Sequence, residues 1–147
     1  GSVDQKRTKE LVELAAPMEV TFHRAFDVCS DPFQALEDVI NCGVTRVLTS
    51  GQAPNVSQGM EMLKKLVEVA KDRVIILPGG GVGESNVLKL RDEVGVQEVH
   101  LSAKDKVVSS MKYQQNKLSM SGGDYARENY YYASSMQIIK ELIKRIG

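Results

Sequence analysis

A strand-then-helix unit that recurs along the chain limits its fold more than any other feature. Strand-like runs begin near Val20, Arg46, Val74 and Glu98, at intervals of 26, 28 and 24 residues. Stretches with helical apolar spacing lie between them. A two-residue turn cannot join parallel strands, whereas a crossover helix can, so regular βα spacing predicts parallel strands with right-handed connections. Two of the four runs are apolar on both faces, as strands covered by helices must be. An open doubly wound sheet and a barrel both satisfy the pattern.

The unit can be followed residue by residue. Residues 8–16 read as a short helix with Leu11, Val12, Leu14 and Ala15 on its apolar side, stopped by Pro17. The first strand is expected over 19–25. Asp31 is then a plausible N-cap with Pro32 at the first helical position, and Phe33, Leu36, Val39 and Ile40 repeat at helical spacing until Gly43. The strand at 46–49 precedes a helix over 57–71 with Met60, Leu63, Leu66, Val67 and Ala70 on one face. The most apolar strand, 74–77, leads to a helix starting at Glu84 or Ser85. The fourth strand is expected at 98–101. A polar stretch of 27 residues, 104–130, exceeds ordinary loop length and reads as a lid or a disordered segment. In it Met111, Tyr113 and Tyr125 are placed to pack over a site, with Ser121-Gly122-Gly123 as a hinge. Tyr130-Tyr131-Tyr132 is expected to anchor a last helix over 134–145.

Composition removes several classes of function. Formal net charge is zero, with 19 basic and 19 acidic residues, so no basic surface recommends a nucleic-acid partner. The longest apolar run, near 74–78, falls far short of the roughly 20 residues of a membrane span. Residues 1–10 are polar and carry no leader-like apolar core. Gly1-Ser2 reads as a cloning scar, leaving 3–147 as a single domain. Cys29 and Cys42 form no CxxC pair and read as reduced cytoplasmic thiols.

Chemistry is expected where the strands end, because parallel sheets and barrels both present ligands at that rim. The four ends read His23-Arg24-Ala25-Phe26-Asp27, Thr49-Ser50-Gly51, Pro78-Gly79-Gly80-Gly81 and His100-Leu101-Ser102-Ala103. Candidate catalytic residues are His23, Arg24, Asp27 and His100. His23 is a possible base, with Thr21 and His23 facing a barrel lumen. Arg24 can clamp an anion, and Asp27 can orient either neighbour. The competing reading is an Arg24–Asp27 ion pair that only holds the strand end. Candidate anion-binding residues are Ser50, Gly51, Gly79, Gly80, Gly81 and Ser102, since glycines let the backbone approach a ligand and Ser102 adds a hydroxyl. The glycines can equally be a turn that links strand to helix. Six methionines are scattered, with no Met-x-x-Met or histidine cluster, so residue chemistry assigns no metal ligands.

Four segments together carry a family resemblance. Val20-Thr21-Phe22-His23-Arg24-Ala25-Phe26-Asp27 with Asp31-Pro32 is the first, and Arg46-Val47-Leu48-Thr49-Ser50-Gly51-Gln52-Ala53 the second. Leu77-Pro78-Gly79-Gly80-Gly81-Val82 and Val99-His100-Leu101-Ser102-Ala103 complete the set. In this order and spacing the chain resembles the CutC copper homeostasis family over residues 3–103, and more loosely at Ser110-Met111-Lys112-Tyr113. The resemblance implies the C-terminal half of a (β/α)₈ TIM barrel, strands five to eight, each followed by a helix. It also implies copper as the bound metal and a cytoplasmic oligomer. The cysteines proposed as copper ligands in that family fall in the other half. A half-barrel leaves sheet edges unpaired, so pairing with a missing N-terminal half or with a second copy is expected. Besides copper handling, two functions stay open: an enzyme acting on a phosphorylated or anionic small molecule, and a structural half-barrel without activity.

Overall fold

At the centre of the fold lies β2 (Arg46–Thr49), flanked in parallel by β1 (Thr21–Phe22) on one side and β3 (Ile75–Pro78) on the other. The computed structural model describes residues 1–113, 118, 120 and 128–147. The register pairs Phe22, Val47 and Ile76 across the sheet, and Thr21, Arg46 and Ile75 one residue earlier. Period-two alternation therefore puts Phe22, Val47 and Ile76 on the face that packs against helices. Thr21, Arg46, Ile75 and Leu77 belong to the opposite face, where Thr21 is exposed and Ile75 and Leu77 are half-buried.

Two helices cover the packed face. The first is α2 (Pro32–Asn41), which starts as its sequence predicts: the Asp31 carboxylate accepts from the amides of Phe33 and Gln34 at 3.0 Å. Ala35, Leu36 and Val39 are its buried face, while Phe33, expected inside, stays partly exposed. The second is α3 (Met60–Ala70), which buries Leu63, Leu66 and Ala70. A further helix runs from Val87 to Val94, α4 (Val87–Lys89) widening into a π turn (Leu90–Val94) and ending at left-handed Gly95. Its Leu90 and Val94 join the same core. The chain opens with α1 (Gln5–Ala15), capped by Asp4. Gln5 donates to Asp38 at 2.9 Å and so ties α1 to α2. None of its side chains is buried, and Leu11 and Leu14 are 64% and 75% exposed.

Two of the expected strands are shorter than the sequence predicts. The first ends at Phe22, because Arg24–Val28 turns into a 3-10 helix. The fourth, expected over 98–101, is a single parallel bridge between Gly79 and His100, with the His100 amide donating to the Pro78 carbonyl at 2.8 Å. The sheet is thus three strands and a bridge.

The chain divides into two compact units, where the sequence reading draws one domain. The first is Gly1–Leu101 with Ile146, and the second is Ser102–Arg145 with Gly147. In the second, β4 (Lys104–Val108) and β5 (Tyr130–Ser134) form an antiparallel ribbon, with Lys104 opposite Ser134 and Val108 opposite Tyr130. So both ends of the stretch read as a lid are strands, and the three tyrosines lie in β5. The suggested Ser121-Gly122-Gly123 hinge and Tyr125 fall outside the described residues. The helix α5 (Met136–Ile146) follows, capped by Ser135.

Candidate functional site

Asp27 organises the rim of the sheet. Its carboxylate receives the Thr49 hydroxyl at 2.5 Å, the Ser50 amide at 3.1 Å, the Gln52 amide at 3.1 Å and Arg24 Nε at 2.7 Å. The turn after β2 curls back to deliver those amides. Gly51 (φ +75°) and Gln52 (φ +56°) both sit in the left-handed region, where only glycine is free of a side-chain penalty. Burial alone would raise the Asp27 carboxyl. The hydrogen bonds from Thr49, Arg24 and the Ser50 and Gln52 amides outweigh it and hold the group below its ordinary value. A carboxylate so saturated is a poor proton acceptor. It acts as a fixed negative charge that aligns its neighbours.

Arg24 is the neighbour it aligns. Nε goes to Asp27, and Nη2 donates to Ser50 Oγ at 2.7 Å. Ser50 Oγ also lies 2.5 Å from the Ala53 carbonyl and 3.0 Å from Asp27 Oδ2, and its one proton serves one of these acceptors. The remaining guanidinium nitrogen, Nη1, makes no hydrogen bond among the described residues. It lies against Gly80, where an added Cβ would sit 3.0 Å from it.

The glycines divide into two kinds. Gly51 and Gly79 serve packing. A Cβ on Gly51 would stand 2.4 Å from the Gly59 carbonyl oxygen, and one on Gly79 would stand 2.4 Å from Leu48 Cδ1. Their amides are spent inside the protein, on Thr49 Oγ1 at 2.9 Å and the Thr49 carbonyl at 3.0 Å. Gly80 (φ +104°) and Gly81 (φ +80°) differ. Their carbonyls are tied inward, Gly80 O accepting from the Val56 amide at 2.9 Å and Gly81 O from Asn86 Nδ2 at 2.9 Å. Their N–H groups have no acceptor among the described residues.

The expected site residues thus separate. Arg24, Asp27, Ser50, Gly79, Gly80 and Gly81 come together. Ser50 and Gly51 are buried and serve the turn rather than an open anion cradle. His23 begins the 3-10 helix through its carbonyl, which accepts from the Phe26 amide at 3.1 Å, and its exposed side chain is not oriented by Asp27. His100 borders Gly79, with ring Cδ2 3.4 Å from where a Cβ would be. Ser102 opens the second unit. Sequence reasoning passed over Thr49, Gln52 and Asn86. Asn86 is buried and bonds Ser57 Oγ at 3.0 Å, Gly81 O and the Gly83 amide, which fixes the glycine loop. Thr49 and Gln52 lie inside a quoted motif. What makes them partners of Asp27 is the fold of the turn, which no local pattern announces.

Metal chemistry has little to rest on in this rim. Among the described residues no three His, Cys, Asp or Glu side chains group closely enough to hold an ion. Cys29 is half-buried, receives Gln52 Nε2 at 3.3 Å, and has its thiol pushed up by burial and by Asp31 and Asp27. Burial and Asp38 do the same to Cys42. Both thiols hold their protons more firmly than usual, which opposes thiolate ligation. The described His, Cys, Asp and Glu side chains do not fit a copper site.

At the opposite end of the strands, Arg46 reaches across the sheet face to Glu98, with Nε–Oε2 2.7 Å and Nη2–Oε1 3.0 Å, and also pairs with Glu19. Glu98 is held below its ordinary value by this guanidinium.

Comparison with known proteins places this geometry. The CutC family model matches residues 1–105. A CutC family protein of Mesorhizobium japonicum is 46% identical over 128 residues, 87% of this chain and 50% of that protein. The Mus musculus protein named copper homeostasis protein cutC homolog is 38% identical over 130 residues, 88% of this chain and 47% of that one. The crystal structure of CutC from Streptococcus agalactiae superposes with a TM-score of 0.62 at 30% identity, covering 67% of this chain and 49% of that chain. The chain spans about half the length of the curated relatives it matches.

Proposed function

The chain belongs to the CutC family, and on that premise we propose that it is the C-terminal half of a CutC-type TIM barrel acting in cytoplasmic copper homeostasis. The family match over 1–105 carries this reading. The parallel β1-β2-β3 order and the half-length coverage of the relatives support the barrel half. Copper is the cargo or ligand of the whole protein. This half contributes the scaffold and the rim, because burial pushes both of its thiols up and each is separately engaged, Cys29 by Gln52 and Cys42 by the Gln5 carbonyl. Its partner is the other half of the barrel or a second copy of the chain.

Two measurements test this. Deleting residues 20–103 from the full-length gene is expected to lower the copper concentration at which cells stop growing; unchanged tolerance would sink the proposal. Competing Cu(I) against a chelator is expected to show binding by the full-length protein and none by this chain beyond that of two denatured-state thiols. Tight binding by this chain alone would move the copper site into it.

An enzyme acting on an anionic small molecule is the second reading. It is favoured by one observation: Arg24, held by Asp27 and Ser50, faces the unspent glycine loop.

A further inference from the structure

We infer that Arg24 Nη1 and the amides of Gly80 and Gly81 form a binding site for a tetrahedral oxyanion, either free phosphate or the phosphate of a small monoester. This rests on the second reading, names the chemistry of its ligand, and does not depend on copper handling.

Three observations converge. The guanidinium is immobilised on two sides, by Asp27 at 2.7 Å and Ser50 at 2.7 Å, so the entropy of ordering a long side chain is already lost before any ligand arrives. Its third nitrogen is left over. The adjoining loop is built of glycine where it meets that nitrogen, since any Cβ at Gly80 would crowd Nη1 at 3.0 Å. The Gly80 and Gly81 carbonyls are turned into the protein by Val56 and Asn86, while the Gly80 and Gly81 amides have no acceptor among the described residues. Unspent glycine amides beside a fixed cation are donors of the kind a tetrahedral oxyanion takes. Gly80 is half-buried and Gly81 exposed, so the place is reachable. Asp27 does not repel the ligand strongly, because four donors already offset its charge. Asp27 and Ser50 are positioning residues, and only Arg24 and the two amides touch the anion.

The test is a ¹H–¹⁵N titration of the whole chain at constant ionic strength with inorganic phosphate, with methyl phosphate in parallel and chloride as control. The Gly80 and Gly81 amides and Arg24 Nε–H are expected to shift together and to saturate. Arg24→Gln is expected to weaken the apparent affinity about tenfold or more, as loss of a charged hydrogen bond does. Arg24→Lys keeps the charge, loses the fork to Asp27 and Ser50, and is expected to fall between. Tighter binding of methyl phosphate identifies a monoester as the ligand, and equal binding identifies the free ion. Shifts in the unaltered protein that never saturate, or that chloride reproduces, overturn the site whatever the variants do. So does full affinity in a folded Arg24→Gln.

Discussion

At the scale of single residues, the rim depends on a few atoms that cannot be moved. Asp27→Ala leaves the Thr49 hydroxyl and the Ser50 and Gln52 amides without their acceptor in a place only 9% exposed at the side chain. A loss of about 2–4 kcal/mol in urea unfolding is expected. Asp27→Asn keeps the shape and removes the charge, and its signature is in pH. A carboxyl lowered by folding adds stability above its unfolded value, about 3.9, and that stability fades as pH falls through the folded value. The unaltered chain should therefore lose stability more steeply below about pH 4 than Asp27→Asn does, measured by urea melts across the acid range. Identical acid limbs would show that the charge contributes nothing. Gly59→Ala puts a Cβ 1.8 Å from the Ser50 carbonyl oxygen, and more than about 3 kcal/mol should be lost. Gly83→Ala meets nothing within 4 Å and should change stability by less than about 1 kcal/mol. Sequence alone does not separate these glycines. Both precede helices, and only the close approach of the 50–51 turn to residue 59 tells them apart.

At the scale of elements, legibility followed burial. The helix α2 was readable to its first residue because Asp31-Pro32 is a local signal and Leu36 and Val39 carry the period. The core it makes with α3 should respond accordingly: Leu66→Ala is expected to cost about 2–5 kcal/mol by thermal or urea unfolding. The ribbon of β4 and β5 was not readable. Its residues are mostly exposed, so selection for a buried face left no alternation to find. What it carries instead are surface contacts: Tyr130 meets Tyr132 edge to face at 5.5 Å between centroids, and Lys106 Nζ lies 3.8 Å from the Tyr130 centroid. Two-stranded ribbons are marginal by themselves. Amide exchange in β4 should accordingly run well ahead of exchange at Val47 and Leu48 in the buried central strand. Equal protection in both would contradict this ordering. The first strand was overread for a related reason. Apolar alternation at Val20 and Phe22 breaks at Arg24, which is drawn to Asp27, and a three-residue separation between partners suits a helical turn rather than an extended strand.

At the scale of the whole chain, spacing was the informative quantity. Units of 24 to 28 residues implied parallel strands, and the β1-β2-β3 order bears that out. The fourth strand was not legible as it stands, since one bridge at His100 replaces a ladder. A ladder forms only where a neighbouring strand runs alongside for several residues, and the apolar pattern of 98–101 does not say how far one does. The outer edge of β1 is open among the described residues. Such edges pair readily with another chain. Sedimentation at micromolar concentration is expected to show a dimer or larger species, and a monomer with sharp tertiary signals would argue against edge pairing.

The protonated thiols have a practical consequence for fluorescence chemistry. Cys29 and Cys42 both hold their protons above the usual range, and neither is freely exposed. Maleimide reagents attack the thiolate, so near neutral pH both sites should label slowly. A Gly83→Cys substitution would set an unhindered thiol just beyond Gly81, in space that a Cβ does not contest. The chain can then be dyed at one position without first removing its own cysteines, giving an optical reporter next to the glycine loop.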